Sequence, residues 1–90
     1  MIAPDSKAHV ILGLLARSGE AYGLELVSKA EGRLKRAALY TQLHRMVARG
    51  LLASSDHYRH GTRLRVYRMT TEGQRMLLAV EAAVKIAKGG

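Results

Sequence analysis

The sequence predicts a mainly α fold with a small β-hairpin (α+β), its elements ordered helix, helix, helix, strand, strand, helix. Three observations lead there. Apolar residues recur at helical spacing in four stretches, glycines stand where the first three stretches should stop, and the segment between the third and fourth alternates on either side of a glycine turn. A length of 90 residues suits a single domain over residues 1–90. Hydrophobic residues make up 48% of the chain, enough for a packed core and far from a disordered composition. So short a domain buries a modest fraction of its surface, and contact with a partner subunit would add to it.

Asp5 or Ser6 can cap a first helix, because a short side-chain oxygen accepts one of the unpaired N–H groups of the first turn. Ala8, Ile11, Leu12 and Leu15 then fall on one face. Gly19 follows, suited to the left-handed position that closes a helix. A second helix is expected over residues 22–31, burying Leu26, Val27 and Ala30, and Gly32 stops it. The third begins near Arg36 or Ala37 and ends before Gly50. At about 100° per residue, Leu39, Leu43, Met46 and Val47 gather on one side and Ala37, Thr41, His44, Arg45 and Ala48 on the other. That second face is small, polar and basic, with no acid. An ordinary surface helix mixes charge signs, so this face suits an anion.

Residues 51–58 and 62–69 favour strands, and Arg59-His60-Gly61 between them supplies the turn of a β-hairpin. Along the second strand Arg65, Tyr67 and Met69 share one face, while Leu64, Val66 and Arg68 share the other. Both faces mix apolar and basic residues, so alternation alone does not assign the buried one. Thr70 or Thr71 caps a last helix over residues 71–88. One stripe of it holds Met76, Leu77, Val80, Ala83, Val84 and Ala87, a second holds Leu78, Ala79, Ala82 and Ile86, and only Gln74, Glu81, Lys85 and Lys88 form a polar strip. A helix apolar on two sides must be covered on two sides. One stripe can pack on its own domain; the other needs a neighbour, and a second copy of the chain is the simplest. Leu78, Ala82 and Ile86 are the expected dimer contacts. Lys88-Gly89-Gly90 is expected to fray.

The formal net charge is +8, and it is unevenly placed: residues 33–75 hold ten Lys or Arg against Asp56 and Glu72 alone. A basic middle between nearly balanced ends reads as a surface for a polyanion, the ordinary alternative being a solvated face. Nucleic acid fits better than a membrane, because a hairpin and a short helix do not make one long amphipathic face. The chain has no Cys, which excludes disulfides, thiol catalysis and cysteine-based zinc or redox sensing. His57 and His60 flank a turn of no fixed geometry, and neither they nor His9 and His44 accompany a carboxylate cluster, so no metal or other cofactor is expected. Ser6, Ser18, Ser28 and Ser54 fall at helix ends or on polar faces, without a Ser-His-Asp arrangement, and the basic region lacks paired carboxylates; an enzyme is not expected. No apolar run approaches the roughly 18 residues that span a bilayer. Met1-Ile2-Ala3-Pro4-Asp5 lacks the features of a secretory signal, so the cytoplasm is the expected location.

A basic third helix, a basic hairpin and a last helix follow the winged helix-turn-helix order, and five blocks carry a more specific likeness. They are Ile11-Leu12-Gly13-Leu14-Leu15; Ala21-Tyr22-Gly23-Leu24-Glu25-Leu26; Ala38-Leu39-Tyr40-Thr41-Gln42-Leu43-His44-Arg45-Met46; Arg49-Gly50-Leu51-Leu52; and Val66-Tyr67-Arg68-Met69-Thr70-Thr71-Glu72-Gly73. In this order and spacing the sequence resembles the PadR-like family of transcriptional regulators. The resemblance implies DNA binding as a homodimer through the third helix and the wing, commonly as a repressor of nearby genes. Longer family members carry an extra C-terminal helical domain; this chain looks like the short subgroup, in which the last helix would be the dimer contact. The family's third helix usually opens on a Ser-Pro-Gly-Thr-like turn, whereas Lys35-Arg36-Ala37-Ala38 stands here. That removes the usual cap and adds two positive charges, so the relatives' base preferences do not transfer.

An α-helix fits the major groove, where base edges are distinguishable. Lys35 and Arg36 open the third helix; Arg36 and Arg45 can each fork onto a guanine or equally hold a phosphate. Ala37 and Ala38 are small enough for close approach, with thymine methyls in reach, and Thr41 and His44 can donate or accept. Tyr40 sits at the edge of the core face, and packing and phosphate contact are equally open to it. The wing would bring Arg59, His60, Arg63 and Arg65 to phosphates or an adjacent minor groove, where most contacts set register rather than read sequence. The partners so implied are double-stranded DNA, bound on an inverted-repeat operator, and a second copy of the chain. Two alternatives stand beside this reading. A non-specific or structural nucleic-acid adaptor that takes RNA would want aromatics, and the chain has no Trp or Phe and four Tyr, with only Tyr58 near the wing tip. A protein-interaction module using the last helix would leave the charge bias unexplained. A small-molecule effector is possible but unsupported, since no tryptophan marks a site and four helices leave little room for a cavity.

Overall fold

A side-chain oxygen at one end and a left-handed glycine at the other delimit the first helix as expected. The hydroxyl of Ser6 accepts the N–H of His9 at 3.3 Å, and Gly19, at φ 80°, donates its own N–H to the Leu15 carbonyl. The computed structural model describes residues 2–89. In it α1 (Lys7–Ser18) is followed by β1 (Glu20–Tyr22), α2 (Gly23–Lys29), α3 (Arg36–Ala48), β2 (Leu52–Arg59), β3 (Thr62–Met69) and α4 (Thr71–Gly89). The helices and the hairpin therefore fall in the expected order. β1 is an addition: Glu20, Ala21 and Tyr22 pair antiparallel with Arg68, Tyr67 and Val66, which makes a three-stranded sheet in the order β1-β3-β2. It also takes Tyr22 out of the second helix, which begins a residue later than expected and stops at Lys29, because Glu31 and Gly32 both have positive φ.

Apolar side chains from all four helices meet in one core. Ile11, Leu12, Leu15, Leu26, Leu39, Leu43, Met46 and Val80 have lost essentially all contact with water, and no polar or charged side chain among the described residues is buried. β3 lies in the middle of the sheet, and its adjacent residues Val66 and Tyr67, on opposite faces, are both buried. Tyr67 joins the main core, whereas Val66 points the other way, between Tyr22 of β1 and Ser55 of β2. Burial on both faces is the reason that alternation along this strand named neither face as the inner one.

The hairpin turn is tighter than three residues. Arg59 pairs with Thr62, leaving His60 and Gly61 as a two-residue loop with φ of 52° and 76°. Two successive left-handed residues match the twist of the flanking strands, and a glycine takes one of those positions without steric cost.

Thr70, rather than Thr71, caps the last helix. Its hydroxyl accepts the N–H of Gly73 at 3.1 Å and donates to the Gly50 carbonyl at 2.6 Å. The Thr70 N–H donates to the Leu51 carbonyl at 3.1 Å, and the Leu51 N–H donates to the Met46 carbonyl at 2.9 Å. The end of α3 and the start of α4 are thus joined by a run of short bonds. A Cβ on Gly73 would fall on the Leu51 carbonyl oxygen, so only glycine lets α4 begin this close to the chain leaving α3. Leu77 and Val80 of α4 are buried and Met76, Ala83 and Val84 half-buried, while Leu78, Ala79, Ala82 and Ile86 are exposed. Ala87, expected on the inner stripe, is exposed too: α4 has 19 residues against 12 in α1, the helix it packs along, and its last turns extend past that cover. α4 continues to Gly89; Gly90, in the tail expected to fray, lies outside the described residues. Among the described residues no helix is long and apolar enough to cross a membrane.

Candidate nucleic-acid interface

The two-sided pattern of α3 becomes an inside and an outside. Leu39, Leu43 and Met46 are fully buried, and Ala37, Thr41, His44, Arg45 and Ala48 are all exposed. Lys35 occupies the N-cap without a side-chain cap bond, and Arg36 follows as the first helical residue, exposed like Lys35. Ala38 is half-buried and stands at the edge of the outer face, not on it. The Thr41 hydroxyl donates to the Ala37 carbonyl one turn back, at 3.0 Å. Among the described residues no carboxylate pairs with Lys35, Arg36, His44 or Arg45, so the charge on this face is uncompensated.

Tyr40 packs and is also reachable. Its ring fills the space that a side chain on Gly23 would need: a Cβ there would stand 2.7 Å from Tyr40 Cε1 and 2.9 Å from its hydroxyl oxygen. The missing side chain at the start of α2 therefore sets how closely α2 and α3 approach. Tyr40 keeps 37% of its surface in water.

On the wing, the guanidinium of Arg59 lies 5.8 Å from the ring centroid of Tyr22, inside the range of a cation–π contact, and so is held towards β1. His60 is exposed in the tip. Arg63 and Arg65 converge on one carboxylate, that of Asp56, at 3.8 and 3.4 Å. Register explains this, since β2 and β3 set Asp56 opposite Arg65 and Tyr58 opposite Arg63 on the same face. Arg65 also reaches the third helix: with Tyr40, His44, Val47, Ala48 and Tyr67 it lines a cleft of about 400 Å³. Arg63, Arg65 and Tyr40 help to line a neighbouring cleft of about 280 Å³ towards Tyr22 and Leu24. Burial raises the Tyr67 phenol above the usual tyrosine range, a shift that the nearby Arg65 charge partly offsets.

The structure thus brings Tyr40, His44, Arg63 and Arg65 around adjoining clefts, with Thr41 and Arg45 on the open face of the same helix. Arg59 and His60 stand apart at the hairpin tip, and Leu78, Ala82 and Ile86 lie on α4. Sequence reasoning missed Tyr22 as a platform for Arg59 and Asp56 as the shared partner of two arginines. The second could have been found by counting back from a two-residue turn, which sets Asp56 against Arg65. Among the described residues no group of three or more His, Asp or Glu side chains could hold a metal ion.

A core of three helices, the third exposing a basic face, followed by a two-stranded wing and a helix, is the winged helix-turn-helix arrangement. The chain belongs to the transcriptional regulator PadR-like family, whose model matches residues 11–79. That family consists of transcriptional regulators, not enzymes. The fold is similar to the crystal structure of a PadR family transcription regulator from Clostridium difficile R20291, with a TM-score of 0.83 at 25% identity over 92% of this chain and 91% of that one. A PadR family regulator from Eggerthella lenta gives 0.78 at 28% identity, over 93% and 79% of the two chains. Bacillus subtilis PadR, whose crystal structure is a complex with operator DNA, gives 0.76 at 22% identity, over 83% of this chain and 46% of that one. A search of curated protein sequences found no match.

Proposed function

We propose that this protein is a homodimeric, sequence-specific repressor that binds an inverted-repeat operator in double-stranded DNA and acts in the cytoplasm. The observation that carries this reading is the exposed, acid-free outer face of α3 set beside a wing with four arginines. Arg36, Ala37, Thr41, His44 and Arg45 face base edges in the major groove, with Ala38 at the margin and Lys35 and the Tyr40 hydroxyl on phosphates. Arg59, His60, Arg63 and Arg65 hold the backbone beside the groove. Residues 1–90 serve as one winged-helix unit and residues 71–88 as its dimerisation element, where Leu78, Ala82 and Ile86 meet their copies. Membership of a regulator family supports the reading, as does the fold shared with a B. subtilis protein crystallised on its operator. Neither a cofactor nor an effector is part of it.

The test is selection of bound duplexes from a random pool, followed by a reporter driven from a promoter carrying the enriched site. An inverted repeat with half-sites about one helical turn apart, and a reporter silenced by the protein, are expected. Binding without an enriched motif would replace this reading with that of a non-specific or architectural nucleic-acid adaptor. Absence of binding to any duplex would leave α4 as the surface of a protein-interaction module.

A further inference from the structure

The chain has four tyrosines, and three of them have a place in the fold. Tyr67 is part of the core, Tyr40 packs against Gly23, and Tyr22 underlies the guanidinium of Arg59. Tyr58 differs: it stands in the second residue pair from the hairpin tip and leaves 74% of its surface in water. A tyrosine suits a strand, which would be reason enough for it if it had no other task.

Its position on the wing gives a second reason. Side chains alternate along a strand, so register puts Tyr58 and Arg63, then Asp56 and Arg65, then Ser54 and Tyr67 on one face, in order from tip to core. This is the face that borders α3, since Arg65 shares a cleft with Tyr40 and His44. Arg59, by contrast, leans the other way, towards Tyr22 of β1. Tyr58 is therefore the outermost aromatic ring on the side of the wing that adjoins α3. Charge on that side is smaller than two arginines suggest, because both lean on Asp56, at 3.8 and 3.4 Å. An uncharged contact matters more in such a place.

We propose that Tyr58 is a DNA-contacting residue whose ring lies against a deoxyribose of the strand whose phosphate Arg63 holds. This deepens the DNA-binding reading above and rests on it. Directly opposed side chains of an antiparallel pair start about 4.5–5.5 Å apart, so ring and guanidinium meet neighbouring parts of one strand. Each phosphate is bonded to a sugar with apolar C–H groups, and an aromatic ring covers these while its hydroxyl stays in water. Burying that surface releases no counterion, so this part of the affinity persists at salt concentrations where arginine contacts weaken. A sugar is the same beneath every base, and the contact fixes the wing without reading sequence.

Tyr58→Thr removes the ring and keeps a residue that favours strands. Affinity for the duplex carrying the selected site is followed by fluorescence anisotropy over a series of salt concentrations. It is expected to fall on the order of five- to tenfold at every concentration. The slope of log affinity against log salt should match that of the wild type, whereas Arg63→Gln should lower it by roughly one counterion. Tyr58→Phe should bind as the wild type does, and both Tyr58 variants should melt near the wild-type temperature. Undiminished binding by Tyr58→Thr, or a slope lowered as by Arg63→Gln, would overturn the proposal. A loss in Tyr58→Phe equal to that in Tyr58→Thr would assign the effect to the hydroxyl and overturn the ring contact.

A direct readout comes from Tyr58→Trp, since the chain has no tryptophan of its own. On the selected duplex the indole emission should shift to the blue and lose most of its quenching by acrylamide, a neutral quencher that DNA does not repel. An indole as open to acrylamide in the complex as in the free protein would overturn the contact. A wild type that binds no duplex rejects the DNA-binding reading itself. A wild type that binds, with position 58 left open to water, rejects only the role of Tyr58.

Discussion

Ile86 leaves 74% of its surface in water and Leu78 leaves 65%, two turns apart on a face whose other members are alanines. If that face meets its copy across a twofold axis, truncating Ile86 to Ala removes three carbons from each side. At about 0.8 kcal/mol per buried CH₂, three carbons are worth about 2.4 kcal/mol. Only the exposed three-quarters is still to be buried by a partner, which lowers the figure to about 1.8 kcal/mol per copy. Symmetry counts it twice, for about 3.5 kcal/mol, and with tenfold per 1.4 kcal/mol the dimer constant weakens about 300-fold. The helix itself survives, because Ala is the better helix former. Sedimentation equilibrium over a wide range of concentration measures the constant, and a thermal melt of the monomer monitors the fold. Ile86→Glu should abolish the dimer and, with it, the advantage of a full inverted repeat over a half-site. A shift of less than about fivefold (about 1 kcal/mol) for Ile86→Ala would refute this face as the contact. A monomeric wild type would refute the dimer altogether.

Arg36→Ala and Arg45→Ala should each weaken binding to the selected duplex by more than about tenfold with little change in melting, as loss of a forked base contact does; unaltered binding by both would remove α3 as the reading helix. Thr70→Ala deletes the cap of α4 and the bond to Gly50, an expected loss of about 1–2 kcal/mol in urea unfolding. Gly73→Ala, whose Cβ meets backbone rather than a yielding side chain, should cost about 3 kcal/mol, and a variant as stable as the wild type would contradict the close approach of α4 to Leu51. Burial keeps the Tyr67 phenol protonated, so its folded pKa lies above the unfolded one. Its contribution is then fully present below the unfolded value of about 10 and is lost as pH rises through the folded value. Chemical unfolding from about pH 8 to about pH 12 should show this loss, and Tyr67→Phe should reduce it.

The sequence made α1, α3 and α4 legible because each keeps its apolar residues on one stripe for three turns or more. Ser6, Gly19 and Gly50 then mark ends that local chemistry alone decides. The outer face of α3 was legible for the same reason, and all five of its expected members are exposed. β1 was not, since Glu20-Ala21-Tyr22 is too short to show alternation and becomes a strand only by pairing with the end of β3. Arg59 reads as part of the turn in the sequence because three residues fit there as well as two; the pair with Thr62 is a property of register, as is the meeting of Asp56 with Arg63 and Arg65. Ala38 and Tyr40 lie where the inner and outer faces of α3 meet, and there a neighbour, Gly23 in the case of Tyr40, decides what periodicity leaves open.

The Thr70 hydroxyl bridges Gly50, just past the end of α3, to the first turn of α4, and Gly73 lets that turn touch the backbone at Leu51. In a twofold pair built on α4, that clasp makes each subunit a rigid ruler from the symmetry axis to its reading head. The separation of the two half-sites then becomes a property of a backbone corner far from any base, and loosening the corner would let the protein accept spacings that the intact molecule rejects.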